Sequence, residues 1–124
     1  MISYGKQSID KNDIKMVTKT LKNNFLTQGP NILKFEKKLE KYFSCKHACA
    51  VSSGTAALHL VSLSLDLKKT DIVLASPIGF LATTNSVIYA GANVDFVDIE
   101  NKTFNLETKK LEDKIIKLKK KNKK

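Results

Sequence analysis

The sequence predicts an α/β fold in which helices cover a small parallel sheet. Two observations carry this expectation. Amphipathic helical patterns alternate with short apolar β runs at about 25-residue intervals, the rhythm of strands joined by helical crossovers. In addition, Ala48-Cys49-Ala50-Val51-Ser52-Ser53-Gly54-Thr55-Ala56-Ala57-Leu58-His59-Leu60 reads as a short buried strand, a turn of small polar residues and the start of an apolar helix. Linkers are short and no segment repeats, so composition marks no domain boundary within the 124 residues. Three strands are few for a sheet covered on both faces, and the sheet is expected to be incomplete.

Taken in order, the first helix opens at Ile9-Asp10, with Asp10 a suitable N-cap and Ile14, Val17 and Leu21 at helical spacing. Asn23-Asn24 closes it, and Phe25–Pro30 forms an irregular turn marked by Gly29-Pro30. A second amphipathic helix places Ile32, Phe35, Leu39 and Tyr42-Phe43 opposite Lys34, Lys37, Lys38 and Lys41. The strand and helix around Gly54 then run from about His47 to Leu65. Asp71–Ala75 is an apolar β run stopped by Ser76-Pro77, Phe80–Ala90 is helical, and Gly91-Ala92 breaks it. Asn93–Ile99 supplies the third strand, and Leu106, Leu111, Ile115, Ile116 and Leu118 set up a last helix whose basic end, residues 109 to 124, is expected to fray.

The formal charge of +10 concentrates at that end. Residues 109 to 124 carry nine Lys against Glu112 and Asp113, a net of +7, which leaves an ordinary +3 for the remainder. All 22 basic residues are Lys, so no Arg offers bidentate contacts to guanine or phosphate, and specific nucleic-acid recognition is not expected. Met1–Asp10 has no apolar h-region, which points to a cytoplasmic, reducing location with Cys45 and Cys49 as free, buried thiols. The spacing of Cys45, His47 and Cys49, with His59 as a fourth candidate, does not fit a zinc site, and no metal is expected. Two uncharged runs, His47–Leu65 and Ile72–Val94, approach membrane-spanning length. Both are interrupted by turn residues, as buried strands and helices of a parallel sheet would be.

The chemistry lies at Ser53–Ala56. A strand, a glycine turn and a helix start make an anion site, because the first N–H groups of a helix lack intrahelical partners and carry partial positive charge. Gly54 permits close approach, and the hydroxyls of Ser52, Ser53 and Thr55 suit phosphate oxygens. The same residues also suit a plain N-cap before a core helix. The phosphate loops of dinucleotide and P-loop proteins are both missing, as is the G-x-S-x-G elbow. Phe80 follows the next strand. Ligands in open parallel sheets sit beyond the carboxyl ends of the strands, so an aromatic plate and a phosphate cradle would border one crevice. Read alone, Phe80 is equally a core residue at a helix start.

Five segments then resemble one family in order and spacing: Tyr4–Ile9, Leu26–Pro30, Val51–Leu60, Ser76-Pro77 with Phe80–Asn85, and Asp95–Ile99. Across nearly its whole length the chain resembles the N-terminal third of the DegT/StrS sugar aminotransferases. This resemblance implies the N-terminal part of the large domain of the aspartate-aminotransferase fold (fold type I of the enzymes dependent on pyridoxal phosphate, PLP). It implies that Gly54, Thr55 and Ala56 hold the cofactor's phosphate, that Phe80 stacks on its ring, and that Thr27, Gln28 and Gly29 lie near the substrate of a homodimeric enzyme. The activity implied is amino transfer from glutamate to a nucleotide-linked keto-sugar, UDP-linked, in pseudaminic acid or related surface-glycan biosynthesis. Gly79 departs from the family's usual Ser or Thr.

Such enzymes need a Schiff-base lysine and an acidic partner for the pyridinium nitrogen. In this family both lie beyond residue 124, and no lysine here sits in a matching motif. The 124 residues are therefore expected to carry the cofactor cradle without catalytic activity, either as part of a longer aminotransferase or as a binding or dimerisation module derived from one. The run Lys119–Lys124 must be encoded almost wholly by adenines, which favours slippage, and Lys124 is expected to be an accidental terminus.

Overall fold

A computed structural model describes residues 5–121. Tyr4, at the head of the first family-like segment, and Asn122–Lys124 of the basic end lie outside the described residues. The chain divides into two compact units, Met1–Ala50 and Val51–Lys124, a boundary that linker composition does not mark.

The first unit is a pair of helices, α1 (Lys11–Leu21) and α2 (Pro30–Phe43). Asp10 caps α1 as its type suggests. Its carboxylate accepts the N–H groups of Asn12 at 2.7 Å and Asp13 at 2.9 Å, and Asp13 returns the favour to the N–H of Asp10 at 2.9 Å. The turn from α1 ends in Gln28, held at φ 51°, and Gly29, the N-cap of α2. Pro30 stands at the first helical position, where its missing N–H costs nothing. Asn31 Nδ2 donates to Thr20 Oγ1 at 2.8 Å and ties the two helices together. Ser44, in the left-handed region at φ 51°, ends α2.

The expected strand at 48–51 does not form. Cys45 and Cys49 are exposed free thiols rather than buried ones, and Val51 is exposed as well. The reason lies in the backbone. A strand needs a ladder partner, but the N–H of Ala50 is taken by the Glu36 carboxylate at 2.9 Å.

The second unit runs α3 (Gly54–Ser64), β1 (Ile72–Ala75), α4 (Ala82–Tyr89), β2 (Asn93–Phe96) and α5 (Thr108–Lys121). The sheet has two strands among the described residues, not three, and they are parallel as expected, with Ile72 opposite Asn93 and Ala75 opposite Phe96. The ladder continues past Ala75, whose carbonyl accepts the N–H of Val97 at 3.0 Å. Beyond it, Ile99 pairs with Leu106 in one antiparallel bridge rather than extending β2.

The core is small and made of small residues: Ala75, Ala82, Val87, Ala92, Val97 and Ile99. Buried Ser62 and Ser86 donate to the carbonyls of Leu58 and Thr83, both at 3.1 Å, so their hydroxyls are satisfied within their own helices. α3 packs on α4, and α4 packs on both strands. Gly91, at φ +89°, ends α4. Leu58, Leu60, Val61 and Leu63 all remain substantially exposed, so α3 is apolar on every face, the pattern of a helix that other elements cover.

Ion pairs fasten α5 along β2. Lys114 Nζ lies 2.7 Å from Asp95 Oδ2, and Lys110 Nζ bridges Asp98 at 3.1 Å and Glu107 at 2.7 Å. The hydrogen bond from Lys114 lowers the pKa of Asp95. That of Asp98 is lowered first by the N–H of Ile99 and then by Lys110. Glu100 is lowered by the N–H groups of Lys102 and Thr103 and the Thr103 hydroxyl, which organise the turn between β2 and α5.

Each of these carboxyls titrates lower when folded than when unfolded. Their contribution to stability is therefore present above the ordinary carboxylate range and lost as pH falls through the depressed folded values. The melting temperature of the chain is accordingly expected to fall below about pH 4, and Glu100→Gln should flatten that dependence. Thermal melts followed by circular dichroism from neutral pH into the acid range check this, and an unchanged slope in Glu100→Gln would refute it.

Candidate functional site

The N-terminus of α3 is the candidate site. Ser53, in extended conformation at φ −162°, is its N-cap. The Ser53 Oγ accepts the N–H of Ala56 at 3.2 Å, and its carbonyl accepts the N–H of Ala57 at 3.1 Å. The N–H groups of Gly54 and Thr55 and the Thr55 hydroxyl have no hydrogen-bond partner among the described residues. Three donors are therefore left unengaged at the positive end of the helix dipole. Ala56 contributes less than its neighbours, because its N–H is already engaged.

The φ of Gly54 is not positive, so no unusual backbone conformation calls for glycine there. What matters is its missing side chain. A Cβ built there would meet nothing within 4 Å, so the chain's own packing does not require glycine. A ligand with several acceptor oxygens fits this arrangement of free donors before open space. The donor set suits the phosphate of pyridoxal phosphate.

Phe80 lies in the same unit, past the carboxyl end of β1 on the segment entering α4, where parallel sheets place their ligands. It is 79% exposed, which excludes the reading of a core residue within the described structure. Its carbonyl accepts the N–H of Thr83 at 3.0 Å, and α4 begins two residues later than its pattern suggests. Ser76 braces the same segment by accepting the N–H of Ile78 at 3.1 Å. At Gly79, the departure from the family pattern, an added Cβ would also meet open space.

Thr27, Gln28 and Gly29 belong to the first unit, in the turn between α1 and α2. Gly29 is required there by packing: a Cβ would come within 2.9 Å of the Phe25 carbonyl oxygen. His59 meets the ring of Tyr89 edge-on at 5.6 Å, and its buried Nε2 has no hydrogen-bond partner among the described residues. No sequence signal marks that orphaned nitrogen.

The parallel strands and covering helices are part of the fold-type-I architecture of the PLP-dependent transferases, as structural comparison shows. The Spr1654 protein of Streptococcus pneumoniae in its PLP form superposes with a TM-score of 0.84 at 28% identity, over 90% of this chain and 29% of its own. The E. coli GDP-4-keto-6-deoxy-D-mannose-3-dehydratase with bound hydrated PLP gives 0.81 at 28%, over 91% and 31%.

The sequence profile of the DegT/DnrJ/EryC1/StrS aminotransferase family matches residues 7–121, and the chain belongs to that family. Pyridoxal phosphate is the family's cofactor. Among curated relatives, a UDP-4-amino-4,6-dideoxy-N-acetyl-beta-L-altrosamine transaminase of Campylobacter jejuni is 45% identical over 117 residues, 94% of this chain and 31% of the relative. The spore coat polysaccharide biosynthesis protein SpsC of Bacillus subtilis is 39% identical over 111 residues, 90% of this chain and 28% of its own length. The chain thus spans less than a third of these relatives. No helix among the described residues is long and apolar enough to cross a membrane.

Proposed function

We propose that this chain is the N-terminal part of the PLP-binding large domain of a cytoplasmic nucleotide-sugar aminotransferase. The assembled enzyme moves an amino group from glutamate to a UDP-linked keto-sugar, in pseudaminic acid or related surface-glycan biosynthesis, and works as a homodimer. One observation carries the reading: at the start of α3 the N–H groups of Gly54 and Thr55 and the Thr55 hydroxyl have no partner among the described residues, and a Cβ on Gly54 would meet nothing within 4 Å. The 45% identity to a UDP-sugar transaminase supports the substrate class.

In this reading Gly54 and Thr55, with Ala56 behind them, bind the cofactor's phosphate, and the helix dipole offsets its charge. Phe80 covers one face of the pyridine ring and keeps water from it. Thr27, Gln28 and Gly29 line the way of the sugar substrate. When bound, pyridoxal phosphate supplies the electron sink that makes amino transfer possible. The 124 residues alone transfer no amino group, because none of their lysines sits in the family's Schiff-base motif.

A chimera tests the function directly. Residues 1–121 replace the matching third of the Campylobacter jejuni relative, and the product is assayed with glutamate and UDP- or GDP-linked keto-sugars. Transfer to the UDP-sugar is expected. A folded chimera that binds pyridoxal phosphate but aminates neither sugar would sink the reading. In that chimera Thr55→Val keeps the shape and removes one donor to a charged group. The affinity for pyridoxal phosphate is expected to fall by about 1–2 kcal/mol, read by spectroscopic titration. The 124-residue chain, in turn, should retain no lysine-bound pyridoxal phosphate after dialysis.

A further inference from the structure

We propose that Ser76 is the positioning residue of Phe80: its hydroxyl clasps the backbone two residues ahead and steadies the segment that presents the ring to the cofactor. The inference rests on the reading in which Phe80 covers the pyridine ring, and adds the residue that keeps it there. Ser76 follows Ala75, the buried last residue of β1, whose carbonyl accepts the N–H of Val97. The Ser76 Oγ accepts the N–H of Ile78 at 3.1 Å and donates to the Ile78 carbonyl at 3.0 Å. Both backbone groups of one residue thus close on one side chain. Pro77 between them has a fixed φ and favours extended backbone at Ser76, from which the hydroxyl reaches forward.

The clasp matters because packing among the described residues does little to hold the ring. Phe80 is exposed, as are Ile78 and Leu81 beside it. Gly79, directly before Phe80, is the freest link of this backbone, and a Cβ there would meet no atom. On the far side the segment is tied again, where the N–H of Thr83 donates to the Phe80 carbonyl at 3.0 Å. With the clasp closed, Gly79 alone lies between the tied residues Ile78 and Phe80. With it open, the loose stretch begins at the end of β1, and the ring swings with it. The clasp spans only Ser76 to Ile78, so nothing outside the described residues is needed to form it.

Ser76→Val and Ser76→Thr are the matched pair that tests this, alike in shape and differing by the hydroxyl. In the 124-residue chain, NMR relaxation is expected to show backbone order at Ile78, Gly79 and Phe80 falling in Ser76→Val and kept in Ser76→Thr. Ala75 and Val87 should keep theirs in both. In the chimera, Ser76→Val is expected to weaken pyridoxal phosphate binding about three- to tenfold and to diminish the visible circular dichroism of the bound cofactor. Ser76→Thr should restore both. Once the ring is removed by Phe80→Leu, Ser76→Val should cost nothing further, the sign of a residue acting through another.

Unchanged order at residues 78–80 in Ser76→Val overturns the proposal. So does an affinity loss shared by Ser76→Thr, or one that persists undiminished beside Phe80→Leu. A loss in Phe80→Leu with an unaltered Ser76→Val strikes this inference alone and leaves the stacking ring in place. If Phe80→Leu itself changes neither affinity nor circular dichroism, the stacking reading falls and the proposal with it. Where a chimeric variant does not fold, the order measured in the 124-residue chain decides.

Discussion

Replacing Gly29 by alanine is expected to destabilise the first unit by about 1–3 kcal/mol, the range for forcing extra volume into a filled space. The added Cβ would sit 2.9 Å from the Phe25 carbonyl oxygen, with the Phe25 Cβ at 3.5 Å. The oxygen belongs to the backbone, so relief requires the turn itself to open. Opening it would disturb the start of α2, where Gly29 is the N-cap and its carbonyl accepts the N–H of Ile32 at 3.3 Å. Gly79→Ala is the matched control, because nothing lies within 4 Å of its added methyl. Urea unfolding followed by circular dichroism compares the two. Equal midpoints would show that the turn yields without cost. Since Gly29 also belongs to the proposed substrate segment, the loss of stability should appear without any ligand present.

Gly54→Val is expected to do the opposite, leaving stability almost unchanged and removing cofactor affinity. At the first position of α3 glycine is a weak helix former, and valine is no worse by more than a few tenths of a kcal/mol. The chain offers no atom within 4 Å for a Cβ to strike. A phosphate held by the N–H groups of Gly54 and Thr55 would occupy that space, and the valine methyl groups would displace it. In the chimeric enzyme the affinity for pyridoxal phosphate should drop at least about tenfold, or about 1.4 kcal/mol, while affinity for pyridoxal falls less. Titration with both compounds, beside a melt of the same variant, separates the effects. Equal losses for the two would remove the phosphate from this helix terminus.

These two glycines show where reading the chain succeeds and where it stops. Asp10 before the Ile14, Val17, Leu21 series specifies a helix start by local chemistry alone, and α1 begins at Lys11. Ser53 likewise announces its helix, because a side-chain oxygen three residues from an N–H needs no distant partner. The apolar runs at Ile72 and Asn93 pair in parallel, as the helix between them requires. The order of the family-like segments was legible too, and with it the cofactor.

Tertiary structure decided the rest. Whether Ala48–Val51 is a strand depends on a neighbour, which composition cannot supply, and the carboxylate of Glu36 claims the Ala50 N–H instead. Cys49, on that unpaired segment, is exposed, and so is Cys45. Sequence marks Gly29 as a turn residue and Gly54 as a cradle residue, but it does not tell which of the two the chain's own packing requires. Only the position of other atoms does so, with the Phe25 carbonyl crowding one and open space before the other. Local patterns set where helices and strands begin, because their hydrogen bonds close within a few residues. Burial, and the emptiness that a ligand needs, depend on atoms far away in the chain.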